Sequence, residues 1–160
     1  MSSLQLEGQM NAPFSRRARV VRLTLRFPAH PTLRAMTAVL DLAQLETMTG
    51  SDAALAAEAL GIFRQSAELW SRMLDPATDA EHWADAAHAI KGAARSVGAM
   101  DLGDACETAE RLGRSGNVSN VAAGVAISTV KDRLGEALEA IAHVEHQLTM
   151  RRTFVGVRLG

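Results

Sequence analysis

Glu81-His82-Trp83-Ala84-Asp85-Ala86-Ala87-His88-Ala89-Ile90-Lys91-Gly92-Ala93-Ala94-Arg95-Ser96-Val97-Gly98-Ala99 is the stretch on which the reading of the chain turns. Trp83, Ala87, Ile90, Ala94 and Val97 recur at intervals of four, three, four and three, which draws one apolar stripe along an α-helix. At about 100° per residue, His88 lies roughly 140° from the centre of that stripe. It therefore points outward, and Glu81, Ala84, Asp85, Lys91, Gly92 and Arg95 share its face. The helix predicted here runs from about Asp79 to Val97 and ends at Gly98.

The same period continues on both sides of this stretch. Upstream, a short segment from Asp41 to about Met48 ends at Thr49-Gly50. A long helix is predicted from an N-cap at Ser51, with Asp52 in its first turn, to Leu74 before Asp75-Pro76. It carries two apolar sets, Leu55, Ala59, Ile62, Leu69, Met73 and Leu60, Phe63, Ala67, Trp70, Leu74, and a face that wide implies neighbours on two sides. Downstream, Leu102, Ala105, Ala109 and Leu112 mark a helix ending near Gly113. Val130, Leu134, Ala137, Ile141, Val144 and Leu148 mark a last one from about Ser119 to Leu148. Four principal helices with short connections predict an all-α fold, an antiparallel up-down four-helix bundle with a short extra N-terminal helix, over residues 36–148.

Composition agrees with that architecture. The 160 residues suffice for one domain, and 48% hydrophobic content excludes a disordered chain. One Cys excludes a disulfide framework or a Cys-based zinc site and fits a reducing cytosol. No stretch approaches the roughly 20 apolar residues of a membrane span. Net charge is −1 but uneven: Arg16, Arg17, Arg19, Arg22, Arg26 and Arg34 against Glu7 leave residues 1–35 at +5 and the remainder at −6. An acidic body argues against nucleic-acid binding. Residues 1–35, interrupted by Pro13, Pro28 and Pro31, read as a basic, disordered arm in which only Val20 to Phe27 alternates weakly. Residues 149–160 read as a C-terminal tail.

A phosphoryl-accepting imidazole has to be mostly neutral at pH 7, as a ring of ordinary pKa ~6.5 in water is. It also has to be reachable by a donor held on another protein. Gly92 stands one turn after His88, where a side chain would crowd the approach, and glycine there costs ~1 kcal/mol relative to alanine. Lys91 and Arg95 place positive charge on the same face, able to stabilise phosphoryl oxygens. Taken singly, each feature has a plainer reading: a solvated surface histidine, a solvated basic face, a glycine at a close helix contact. His82 reads as surface, the His143-x-x-His146 pair as a solvated face, and Cys106 as a small core residue.

The segment Ala87 to Ala99 closely resembles the signature of histidine-containing phosphotransfer (HPt) domains: an alanine-histidine pair, an aliphatic residue, Lys-Gly, small residues, then Gly-Ala. The resemblance extends to Trp83, to Met48-Thr49-Gly50 and to Leu102. It covers about residues 36–148 and leaves out the first 35 and the last dozen. It implies that His88 is phosphorylated at Nε2, that Lys91 stabilises the phosphoryl group, beside the Arg95 that the helix face already offers for the same role, and that Gly92 keeps the ring accessible. Gly98 and Ala99 then shape the helix end, and Glu81, Ala84, Asp85 and Ser96 belong to a docking face for receiver domains. The partners implied are the receiver domains of response regulators and of a hybrid histidine kinase, and the receiver supplies the Mg²⁺. The protein itself is then a cytoplasmic monomeric phosphocarrier rather than an enzyme, with no cofactor and no metal of its own.

Three other readings compete. A kinase dimerisation domain would follow its histidine with an acidic residue and a nearby proline, and Ala89 does not fit. A di-metal bundle would need inward Glu-x-x-His motifs, whereas Asp85-x-x-His88 faces outward. An adaptor that binds receivers through the same fold without transferring phosphate is opposed only by the retained His88 and the costly Gly92.

Overall fold

The computed structural model describes residues 39–157, with side chains through 150. The basic arm and the weak alternation over Val20–Phe27 lie outside the described residues. Among those residues are five helices and no strand: α1 Leu42–Met48, α2 Ala53–Met73, α3 Ala80–Ser96, α4 Met100–Gly113 and α5 Asn120–Val157.

The helix boundaries follow from local hydrogen bonding. Asp41 Oδ1 caps α1 by accepting from the backbone N–H groups of Ala43 and Gln44, both at 3.0 Å. Gly50 and Ser51 then take consecutive left-handed conformations, φ 60° and 63°. This corrects the expected start of α2. An N-cap needs an extended backbone, which Ser51 lacks. Asp52 has it and accepts from Ala54 N at 2.8 Å and Leu55 N at 3.1 Å. Ser51 instead donates its hydroxyl to Glu46 Oε1 at 3.0 Å. At the other end of the chain, α5 continues to Val157, past the Leu148 at which its apolar spacing stops.

Packing closes the helices into a four-membered ring. α3 lies along α4 in the most extensive contact, α4 along α5, and α2 against both α3 and α5. Successive neighbours joined by short turns make the antiparallel up-down bundle, and α1 seals the end where α3 turns into α4. There Asp41 N donates to Gly98 O at 2.7 Å. Gly98 has φ +83°, and an added Cβ would collide with the carbonyl oxygen of Asp41, so both the turn and the approach of α1 require glycine. Ala99 is buried beside it.

The stripe Trp83, Ala87, Ile90, Ala94, Val97 is buried throughout. On α2 only one of the two apolar sets is enclosed. Leu60, Phe63, Ala67 and Leu74 are core, whereas Leu55, Ile62 and Leu69 stand in the open, Leu69 at 63% exposure. α2 does have neighbours on two sides, but among the described residues they do not reach across that flank. Cys106 is fully buried, and burial pushes its thiol up to about 12.

Candidate functional site

His88 projects from the outer face of α3 with 62% of its side chain exposed. Its Nδ1 lies 2.8 Å from Glu110 Oε1, on α4. The other oxygen of the same carboxylate, Oε2, accepts from Lys91 Nζ at 2.7 Å. Arg114, just past the end of α4, donates its Nε to Oε1 at 3.3 Å and its Nη2 to Asp85 Oδ1 at 2.8 Å. One carboxylate thus gathers an imidazole, an ammonium and a guanidinium.

Glu110 is only 14% exposed. The Lys91 hydrogen bond, joined by the one from His88 and by both charges, holds its carboxyl down at about 2 although burial pushes the other way. It is therefore ionised at neutral pH and can only accept. Whenever the ring of His88 is neutral, its proton is therefore on Nδ1, donating to Glu110, and its lone pair is on Nε2, at the opposite edge of the ring. A fixed tautomer with an outward nucleophilic nitrogen is the chemical property of this site.

Gly92 is exposed, one turn after His88 on the same helix. An added Cβ there would meet nothing within 4 Å. A close helix contact, the plainer explanation for this glycine, is therefore absent from the fold. Glycines of that other kind do occur on α4. A Cβ on Gly113 would stand 2.7 Å from Ala84 Cβ and 2.8 Å from Ala80 O, and one on Gly103 would stand 3.0 Å from Arg95 Cγ.

The expected site residues divide accordingly. The fold brings His88 and Lys91 together and leaves Gly92 open beside them. Arg95 is directed elsewhere: its Nη2 lies 2.7 Å from Glu107 Oε2 and 3.4 Å from Asp104 Oδ1, so its charge is engaged along α4 rather than beside the ring. Ala84 is fully buried against α4 at Gly113 and cannot belong to a docking face. Glu81, Asp85 and Ser96 are exposed. Ser96 turns its hydroxyl back to Ala93 O at 2.7 Å, and Glu81 lines an open depression with Asp79, Gly113 and Arg114.

Glu110 and Arg114 were not legible in the sequence as site residues, because they meet His88 only through the packing of α4 on α3. The available signal was weak: a carboxylate next to the core position Ala109, with an arginine four residues on. His143 is half-buried rather than solvated, and its Nε2 has no hydrogen-bond partner, while His146 is exposed. Among the described residues no three His, Cys, Asp or Glu side chains are placed to hold a metal, and no helix is long and apolar enough to cross a membrane.

A helical bundle with an outward histidine followed by Lys-Gly on the same helix defines a class of protein, and the chain belongs to it: residues 41–144 match the Hpt domain family. Among solved structures it is similar to the histidine phosphotransferase ShpA from Caulobacter crescentus, at 38% identity and a TM-score of 0.58, over 72% of this chain and 98% of that one. No curated protein sequence matches.

Proposed function

We propose that this chain is a histidine phosphotransfer protein of two-component signalling that carries a phosphoryl group on His88 Nε2 between the aspartates of receiver domains. The observation that carries the reading is the Glu110–His88 hydrogen bond, which fixes the proton on Nδ1 and leaves Nε2 free on an exposed ring. The family membership and the likeness to a histidine phosphotransferase support it.

The transfer is a displacement at phosphorus. The Nε2 lone pair attacks the phosphorus of a receiver's aspartyl phosphate, the N–P bond forms, and the P–O bond to the aspartate breaks. The carboxylate leaves with the bonding electrons, and the Nδ1 proton stays in place. The phosphorylated ring is then an imidazolium, and ionised Glu110, 2.8 Å from Nδ1, is placed to stabilise the positive charge that develops. Reversal returns the group to a second receiver. The receiver contributes the Mg²⁺ and the aspartate, and this protein contributes a positioned nucleophile on a rigid helix. We place this carrier in the cytoplasm as a monomer.

The test is to mix the protein with a phosphorylated receiver domain and to assay acid-labile, base-stable phosphate on His88, with His88→Gln as control. Label on the wild type and none on the variant is the expected result. Equal labelling of both overturns the assignment, and docking without labelling would instead favour the adaptor.

A further inference from the structure

Among the described residues Lys91, Arg95 and Arg114 are each engaged with a carboxylate, so for an arriving phosphoryl group to use one of them it has to take it from its partner. We propose that it takes Arg114, and that Asp85 is the built-in competitor that holds this guanidinium back until the phosphoryl group arrives. The inference rests on the reading of His88 as the phosphoryl acceptor.

The three pairs differ in how readily they release their cation. Lys91 is half-buried and lies 2.7 Å from Glu110, itself 14% exposed, in a contact that ties α3 to α4. Freeing it would strip a poorly solvated carboxylate of its shortest hydrogen bond. Arg95 is held by Glu107 and Asp104, two turns beyond His88. The Arg114–Asp85 pair is open to water, with side chains 43% and 63% exposed. Ion pairs this open to water are weak, so exchange of the partner is cheap.

Geometry already keeps the guanidinium near the ring. Its Nε and the Nδ1 of His88 lie 3.3 and 2.8 Å from the same oxygen, Glu110 Oε1, so the two nitrogens are no more than about 6 Å apart. Glu110 holds Nε on the Nδ1 side of the ring, and the Nη2 end, now on Asp85, is the part that has to swing round towards Nε2. A phosphoryl group offers three strong acceptor oxygens and about two negative charges, against two oxygens and one charge on Asp85, and a guanidinium binds such a group through two parallel bonds. Asp85 stands three residues before His88 on the same face, so the guanidinium it holds waits close to the ring. The two residues therefore act with opposite sign: Arg114 promotes phosphorylation and Asp85 restrains it.

The sign difference is what an experiment can read. Wild type, Asp85→Asn, Arg114→Gln, Arg114→Lys and the Asp85→Asn/Arg114→Gln double variant are phosphorylated by a phosphorylated receiver and, separately, by phosphoramidate. With phosphoramidate the P–N bond breaks as the bond to Nε2 forms, ammonia leaves, and no docking surface is involved. The initial labelling rate and the lifetime of the acid-labile phosphate are followed.

With phosphoramidate, Asp85→Asn is expected to label a few-fold faster, Arg114→Gln about tenfold more slowly with a shortened lifetime, and Arg114→Lys in between. The double variant should match Arg114→Gln, because Asp85 acts largely by holding that arginine. Two single variants that shift the rate in the same direction, or an Asp85→Asn gain that survives without Arg114, overturn the proposal while leaving His88 as the acceptor. A wild type that takes no label from either donor overturns the phosphotransfer reading and this inference with it.

Discussion

Glu110 binds a ring nitrogen, an ammonium and a guanidinium with two oxygens, and its protonation has a calculable cost. Its carboxyl sits at about 2 in the fold against an ordinary 4.5. Because the folded value is the lower one, the stabilisation is complete above pH ~4.5 and disappears as pH falls through about 2. At 1.36 kcal/mol per unit the upper bound is about 3 kcal/mol. Urea unfolding of wild type and Glu110→Gln from pH 6 to pH 2 should show the stability gap closing over that interval, and a constant gap would contradict the assignment. At Gly92 stability and function should part company. Alanine there should stabilise the helix by ~0.5–1 kcal/mol, since its Cβ meets nothing within 4 Å. Leucine should leave far-UV circular dichroism unchanged yet slow labelling by a receiver severely, and undiminished transfer in Gly92→Leu would refute the steric role.

At the scale of elements, the α3–α4 pair is set by absent side chains. Gly113→Ala would drive a methyl to within 2.7 Å of Ala84 Cβ and 2.9 Å of Trp83, so the two helices must separate. A loss of about 1–3 kcal/mol in chemical denaturation is expected, together with weakened labelling, because Glu110 would retreat from His88. A variant as stable as wild type would show the contact to be slack. The existence and order of the helices were legible because apolar spacing reports which side of a helix is enclosed. What spacing does not report is how far neighbours reach. Leu55, Ile62 and Leu69 obey the period as faithfully as Leu60 and Phe63 yet remain exposed. Nor does spacing report backbone handedness, which at Ser51 moved the cap of α2 to Asp52.

Across the whole molecule, the outward histidine and the core stripe opposite it were legible because both lie on one helix. The residues that tune the histidine belong to another helix, 22 and 26 positions along the chain, and only packing brings them near. Arg95 failed for the converse reason. It shares a helix face with His88, but Glu107 and Asp104 on the neighbouring helix claim it first.

The same close packing encloses Cys106, the single sulfhydryl in 160 residues, with no exposed surface and its thiol pushed up to about 12. A thiolate is the form that attacks a disulfide reagent, and this one is both scarce and out of reach while the four helices stay together. Modification by an aromatic disulfide dye should therefore wait on opening of the bundle. The native protein contains its own stopwatch: the colour released per minute at saturating dye counts how often the helices part, with no label to engineer.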